Sequence, residues 1–182
     1  MDTYAVVLYF DVNTNDTIGK IITRTAALSG NNYMLDINIP PHVTLGCFFS
    51  DEQNALYERV GIFAKDIKPF DVTFNAIKAF EPHVLFVSPV KDEYLTRSNI
   101  LLHELLLSNY EPAENANYLP DRWMPHCSLA VRLDEEQFAK AKAIESEIEL
   151  PFTARVSKIA LAKCNPYTEV AIWENKEVKK CH

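Results

Sequence analysis

Pro41-His42-Val43-Thr44-Leu45 and Pro125-His126-Cys127-Ser128-Leu129 spell one pattern twice: a proline, a histidine, an apolar spacer, a hydroxyl residue and a leucine. On an extended strand successive side chains alternate faces, so a histidine and a hydroxyl two residues apart point the same way. Val43, Leu45 and Cys47 then share the other face, as do Cys127, Leu129 and Val131, and these apolar sets fix which side of each strand is buried. The polar pairs are left facing outward, His42 and Thr44 with Gly46 and Phe48, and His126 and Ser128 with Ala130 and Arg132. Gly46 and Ala130 hold matching positions, and their small size suggests room for a ligand beside each pair.

Outward from these strands, the two halves of the 182-residue chain read alike. Tyr4–Phe10 has the apolar, β-branched and aromatic character of a buried strand. Capping residues between Asn13 and Asp16 precede Ile18, Ile21, Ile22 and Ala26, whose spacing predicts a helix ending near Ser29-Gly30. A connector over 31–41 leads into the first histidine strand. A helix then buries Leu56, Val60, Phe63 and Ile67 and stops before Pro69, and a strand follows from Phe70 towards Phe80.

At Glu81-Pro82 the order restarts: a strand over Val84–Val90, a leucine-rich helix over 92–109, a polar connector to Pro125, and the second histidine strand to Leu133. A helix over 134–148 follows, and strands Phe152–Cys164 and Val170–Trp173 close the chain. A shared order without sequence identity is the mark of an internal structural repeat. The expected architecture is α+β with mixed, largely antiparallel sheets. It forms one bilobal domain over 1–182, with half-repeats of roughly 1–81 and 82–182 related by a pseudo-twofold axis. Helices lie outside, and the histidine strands face each other across a central cleft. The charged tail over 174–182 is expected to fray.

Composition bounds the function. Hydrophobic residues at 48% and charged residues at 24% give an ordinary globular balance, against disorder. No apolar run approaches the roughly 20 residues that span a bilayer, and MDTYAVVLYF lacks the basic start of a signal peptide. We therefore expect a cytoplasmic monomer with no membrane partner. Cys47, Cys127, Cys164 and Cys181 show neither paired nor metal-like spacing, and Cys47 and Cys127 read as reduced, buried thiols. A formal charge of −7 repels a long polyanion, so duplex DNA is not an expected partner, whereas a short anion in a local cleft is compatible.

Two imidazoles titrating near neutrality can divide labour, one as base and one as acid. That division suits attack on a phosphodiester: a neutral imidazole takes a proton from water or a hydroxyl, and an imidazolium gives one to the leaving oxygen. Thr44 and Ser128 can donate to the non-bridging oxygens. In-line displacement needs acid and base on opposite sides of phosphorus, as two facing strands provide. No metal or other cofactor is required by this scheme. Zinc would need a third protein ligand at a recognisable spacing, and none stands out.

With these residues in view, the chain resembles the two-histidine phosphoesterases, which include RNA ligase-like proteins and cyclic phosphodiesterases. Their signature is a pair of His-x-Thr/Ser motifs, each followed by an apolar residue, as in His42-Val43-Thr44-Leu45 and His126-Cys127-Ser128-Leu129. The prolines before both motifs and Pro69-Phe70-Asp71-Val72-Thr73-Phe74 are also similar to the family. The resemblance implies a bilobal fold, metal-independent chemistry at cyclic phosphates or 2′,5′ linkages, and both histidines as catalytic. The expected partner is a small cyclic-phosphate nucleotide or an RNA end. A binding module with little turnover and a 2′,5′-RNA ligase stay open as alternatives. Arg132 could bind phosphate, and Phe48 or Tyr33 could stack on a base. Pro82-His83-Val84-Leu85 acts as a control: it lacks the hydroxyl, so His83 is read as structural.

Overall fold

The computed structural model describes residues 1–174; the expectation of a frayed tail, like Cys181 and His182, falls almost wholly outside them. In chain order the elements are β1 (Asp2–Phe10), α1 (Val12–Ser29), α2 (Tyr33–Ile37), β2 (His42–Ser50), α3 (Gln53–Asp66) and β3 (Phe70–Phe80). They continue with β4 (Val84–Pro89), α4 (Glu93–Leu106), β5 (Cys127–Ala130), α5 (Glu135–Ala141), β6 (Phe152–Lys163) and β7 (Thr168–Glu174). Three helices, α1, α4 and α5, open on an aspartate shortly after a strand ends. Asp11 accepts the Thr14 N–H at 2.8 Å, Asp92 that of Leu95 at 2.7 Å and Asp134 that of Gln137 at 2.8 Å. Each such cap is worth about 1 kcal/mol. Gly30, at φ 74°, closes α1 in the left-handed conformation that costs glycine nothing.

All strand pairings are antiparallel and form one sheet in the order β2-β1-β6-β3-β4-β5, with β7 beside β6. Exchanging β1 with β4, β2 with β5 and β3 with β6 turns that order into itself, which is the pseudo-twofold relation. Its axis passes through the β3–β6 ladder, where Val72 pairs with Ala154. The helices bury Ile18, Ile22, Leu56, Val60, Phe63, Leu95, Leu102 and Leu106 against one face of the sheet, on Val6, Leu8, Phe10, Phe74 and Ile159. Side chains of that size contribute about 1.5–3 kcal/mol each when buried. The other face of β1 carries Ala5, Val7 and Tyr9 under the 110–125 connector rather than under a helix.

β2 and β5, at the two ends of the hydrogen-bonded order, nevertheless touch. The Trp123 indole N–H donates to the Thr44 carbonyl at 3.0 Å, and the Cys127 sulfur accepts the backbone N–H of His42. That accepted bond only partly offsets burial, which pushes the Cys127 thiol up to about 12. Cys47 and Cys127 are free and buried. No helix among the described residues is long and apolar enough to cross a membrane.

Candidate active site

Both histidine strands are bulged at the same place. Along β1, Val7 pairs with Thr44 but Val6 with Gly46, so Leu45 is the extra residue. Along β4, Phe86 pairs with Ser128 but Leu85 with Ala130, so Leu129 is the extra residue. An inserted residue reverses the alternation beyond it. His42 and Thr44 therefore keep company with Tyr9 and Val7, while Gly46 and Phe48 turn to the helix-covered face with Val6 and Tyr4. Ser128 likewise shares a face with Phe86, whereas Ala130 packs with Leu85, Leu133 and Phe138.

Four sequence-based assignments change as a result. Phe48 is fully buried, its ring 5.3 Å from that of His103, and cannot stack on a base. Gly46 is small because a Cβ there would lie 2.8 Å from the Phe48 ring and 3.2 Å from His103, not to make room for a ligand. Ala130 is small for a similar packing reason. Arg132 follows the end of β5 at φ 56°, and its guanidinium lies 4.2 Å over the Tyr33 ring instead of beside His126. Tyr33 is correspondingly covered by a cation.

The two imidazoles are held by one device. His42 Nδ1 lies 2.8 Å from the Pro40 carbonyl and His126 Nδ1 2.9 Å from the Met124 carbonyl, each two residues upstream across a proline. A carbonyl only accepts, so Nδ1 carries the hydrogen and Nε2 is left as the free base. Burial lowers the pKa of both, against the smaller raising effect of those carbonyls, and repulsion from His126 lowers His42 further. The control histidine differs: His83 Nδ1 is bound to the Leu133 carbonyl at 2.9 Å, tying two loops together.

The surroundings of the rings are not matched. Tyr9 meets His42 edge-on at 6.3 Å, and Tyr167 stacks on it at 6.3 Å and 27°. The Tyr9 and Tyr167 hydroxyls are hydrogen-bonded, and Tyr9 also donates to Glu169 at 2.7 Å. Around His126 stand Phe80 at 5.3 Å and Phe86 at 5.1 Å. Beside His126 and Ser128 opens a cavity of about 480 Å³, walled also by Phe80, Glu114, Tyr118 and Arg122. Thr44 reaches the Tyr118 hydroxyl, whose pKa burial raises and the Thr44 hydrogen bond partly restores. Asn99 fastens both, donating to the Leu45 carbonyl at 2.7 Å and the Tyr118 carbonyl at 3.0 Å.

One wall of that cavity is strained. Glu114, Asn115 and Ala116 are successive residues with φ of 52°, 53° and 60°. The left-handed conformation costs an L-residue about 1–2 kcal/mol, and of the three only asparagine tolerates it readily. None of Tyr9, Tyr118, Arg122, Glu114, Tyr167 and Glu169 was picked out by local pattern. Tyr9 faces His42 through strand register, and the others arrive on loops distant in sequence. The spacing of Tyr9 and Val7 on an alternating strand was the one available signal.

A family model for the 2′-5′ RNA ligase superfamily matches residues 23–166. Among solved structures, E. coli LigT in complex with 3′-AMP aligns over 97% of this chain and 99% of its own, at 13% identity and TM-score 0.61. TT0787 of Thermus thermophilus aligns over 95% of this chain and 97% of its own, at 17% identity and TM-score 0.59. At such identities the likeness is one of fold. No curated protein is similar enough to the chain to count as a match. The fold is LigT-like. The chain belongs to the 2′-5′ RNA ligase superfamily.

Proposed function

We propose that this protein is a metal-independent phosphoesterase cleaving a cyclic phosphodiester, of the nucleoside 2′,3′-cyclic phosphate or RNA-end type, with His42 and His126 as its acid–base pair. The observation that carries the reading is the duplicated imidazole support. Each ring hydrogen-bonds through Nδ1 to the carbonyl two residues upstream, so each Nε2 is free for proton transfer. In hydrolysis one neutral imidazole removes a proton from water as its oxygen bonds to phosphorus. The other, as imidazolium, gives its proton to the departing ribose oxygen, and the products are a phosphomonoester and a free hydroxyl. Thr44 and Ser128 hold the non-bridging oxygens. Ligation through a 2′,5′ linkage is the reverse of cleavage by the same groups. We further propose one two-lobed domain, in which the halves 1–81 and 82–182 each supply one imidazole and one hydroxyl.

Support for a nucleotide-sized ligand comes from the cavity of about 480 Å³ beside His126, within the range of small-molecule sites. The complex of E. coli LigT with 3′-AMP is in keeping with it. A second reading, a nucleotide-binding module without turnover, is favoured by the lowered pKa of both histidines, since a site with two neutral rings has no acid until an anion binds. Hydrolysis of the four nucleoside 2′,3′-cyclic phosphates, run beside calorimetry with nucleoside 3′-monophosphates, separates the two. Turnover that survives EDTA and is lost in His42→Ala and His126→Ala supports the enzyme. Binding without turnover supports the module.

A further inference from the structure

We propose that Glu114 is the residue that reads the substrate's base and that the base it selects is guanine. The inference rests on the reading above that a nucleotide's phosphate lies between the histidines. Glu114 shares the wall of the cavity with His126 and Ser128, and its exposed carboxylate, near enough to Tyr118 and Cys47 to disfavour their ionisation, makes no hydrogen bond or ion pair among the described residues. Its position is built. Ala113 N–H donates to the Cys47 carbonyl and Phe49 N–H to the Glu111 carbonyl, both at 2.9 Å, which lays 111–113 along the first histidine strand. From that anchor three successive left-handed residues turn the chain towards the second strand. The turn is locked by Ala116 N–H to the Ala113 carbonyl at 3.0 Å and Asn117 N–H to the Glu114 carbonyl at 3.1 Å. Strain of this kind persists where the surroundings over-determine it, and it gathers at ligand clamps.

A carboxylate in a phosphate site is chemically specific. It accepts hydrogen bonds, donates none and repels the phosphate, so it belongs at the far end of the ligand against donor groups. Only guanine sets two donors side by side, N1–H and N2–H, to match both carboxylate oxygens. Adenine and cytosine place a ring-nitrogen acceptor next to their amine, and uracil flanks its one N–H with carbonyls. Each of these would leave an oxygen of Glu114 facing another acceptor. Asn117, in the same wall, carries the amide donor that guanine O6 can take, and the exposed faces of Phe80 and Met124 offer apolar cover for the ring. A bidentate pair of this sort discriminates roughly ten- to hundredfold.

The test is calorimetric binding of 3′-GMP, 3′-IMP, 3′-AMP, 3′-CMP and 3′-UMP to the full chain and to E114Q, with melting temperatures confirming that the variant is folded. The expected wild-type order puts 3′-GMP first by about tenfold or more, with 3′-IMP, which lacks the N2 amine, between it and the others. In E114Q the guanine preference collapses, while binding of the other nucleotides changes little. Equal binding of all bases by the wild type overturns the assignment, as does a preference unchanged in E114Q. A uniform loss in E114Q would move the carboxylate to ribose and overturn it too. Ala116→Gly, which relieves one strained residue and keeps the carboxylate, retains the preference; its loss there would contradict the role given to Glu114. A protein that binds 3′-GMP selectively yet hydrolyses no cyclic phosphate keeps this inference and loses the enzymatic reading. Equal hydrolysis of all four cyclic phosphates by wild type and E114Q does the reverse.

Discussion

The half-site around His42 and the half-site around His126 share a backbone and differ in their neighbours. Each has a proline-led histidine with Nδ1 on the carbonyl two residues back, and each strand bulges at the leucine three residues on. Yet His42 sits among hydroxyls tied to a carboxylate, Tyr9 and Tyr167 with Glu169, while His126 sits among Phe80 and Phe86 beside the open cavity. The shared part is what the proposed acid–base chemistry needs twice. The unshared part separates a polar, closed side from an apolar side open to a ligand. The pseudo-twofold thus repeats the support of the imidazoles, and the loops that differ between the halves make the pocket.

The largest expected effects fall on the shared part. Replacing either histidine by alanine should lower turnover of a cyclic phosphate by about 10²- to 10⁴-fold, with the fold intact by circular dichroism. A large loss from one variant and none from the other would break the equivalence of the halves. Next come the bulges. Phe48→Ala should cost about 3–5 kcal/mol in denaturant unfolding, because its ring is core, yet leave kcat/KM per folded molecule nearly unchanged. Phe80→Ala should do the opposite, raising KM with little loss of stability, since its ring is partly exposed at the cavity. Thr44→Val and Ser128→Ala should each weaken turnover roughly tenfold, the worth of one hydrogen bond to a charged group. Thr44→Val should also disturb the Tyr118 hydroxyl, which Ser128→Ala leaves alone.

The smallest effect is on pH. Both folded-state imidazoles lie below the ordinary 6.5, because burial disfavours their charge. The bell in kcat/KM, expected near neutrality from two ordinary imidazoles, should therefore centre below 6.5. A bound phosphate stabilises the imidazolium, so the alkaline limb of kcat should stand at higher pH than that of kcat/KM. A kcat/KM profile centred above neutrality would contradict the burial that lowers both rings.

Much of this was legible in the sequence. The order of strands and helices follows from apolar periodicity, and the two histidine–hydroxyl pairs sit on the face that alternation predicts, because both lie before the bulge. Beyond Leu45 and Leu129 the same rule fails: one unpaired residue reverses every later side chain, and no residue type marks it. That single backbone event sent Phe48 and Gly46 to the core and Ala130 with them, and with the turn at Arg132 it removed that guanidinium from the site. The tyrosines beside His42 and the carboxylate of Glu114 were hidden for another reason. They reach the site through pairing between distant strands and through a left-handed turn in which only Asn115 favours that conformation.

In the proposed reaction two imidazoles, held alike, act on one phosphodiester. That reaction is tested most directly by single-turnover hydrolysis of nucleoside 2′,3′-cyclic phosphates by the wild type, His42→Ala and His126→Ala, all in EDTA. Chelator-resistant cleavage by the wild type is expected, with a loss of about 10²-fold or more in each variant. Wild-type rates in either variant, or abolition of wild-type cleavage by EDTA, would contradict it.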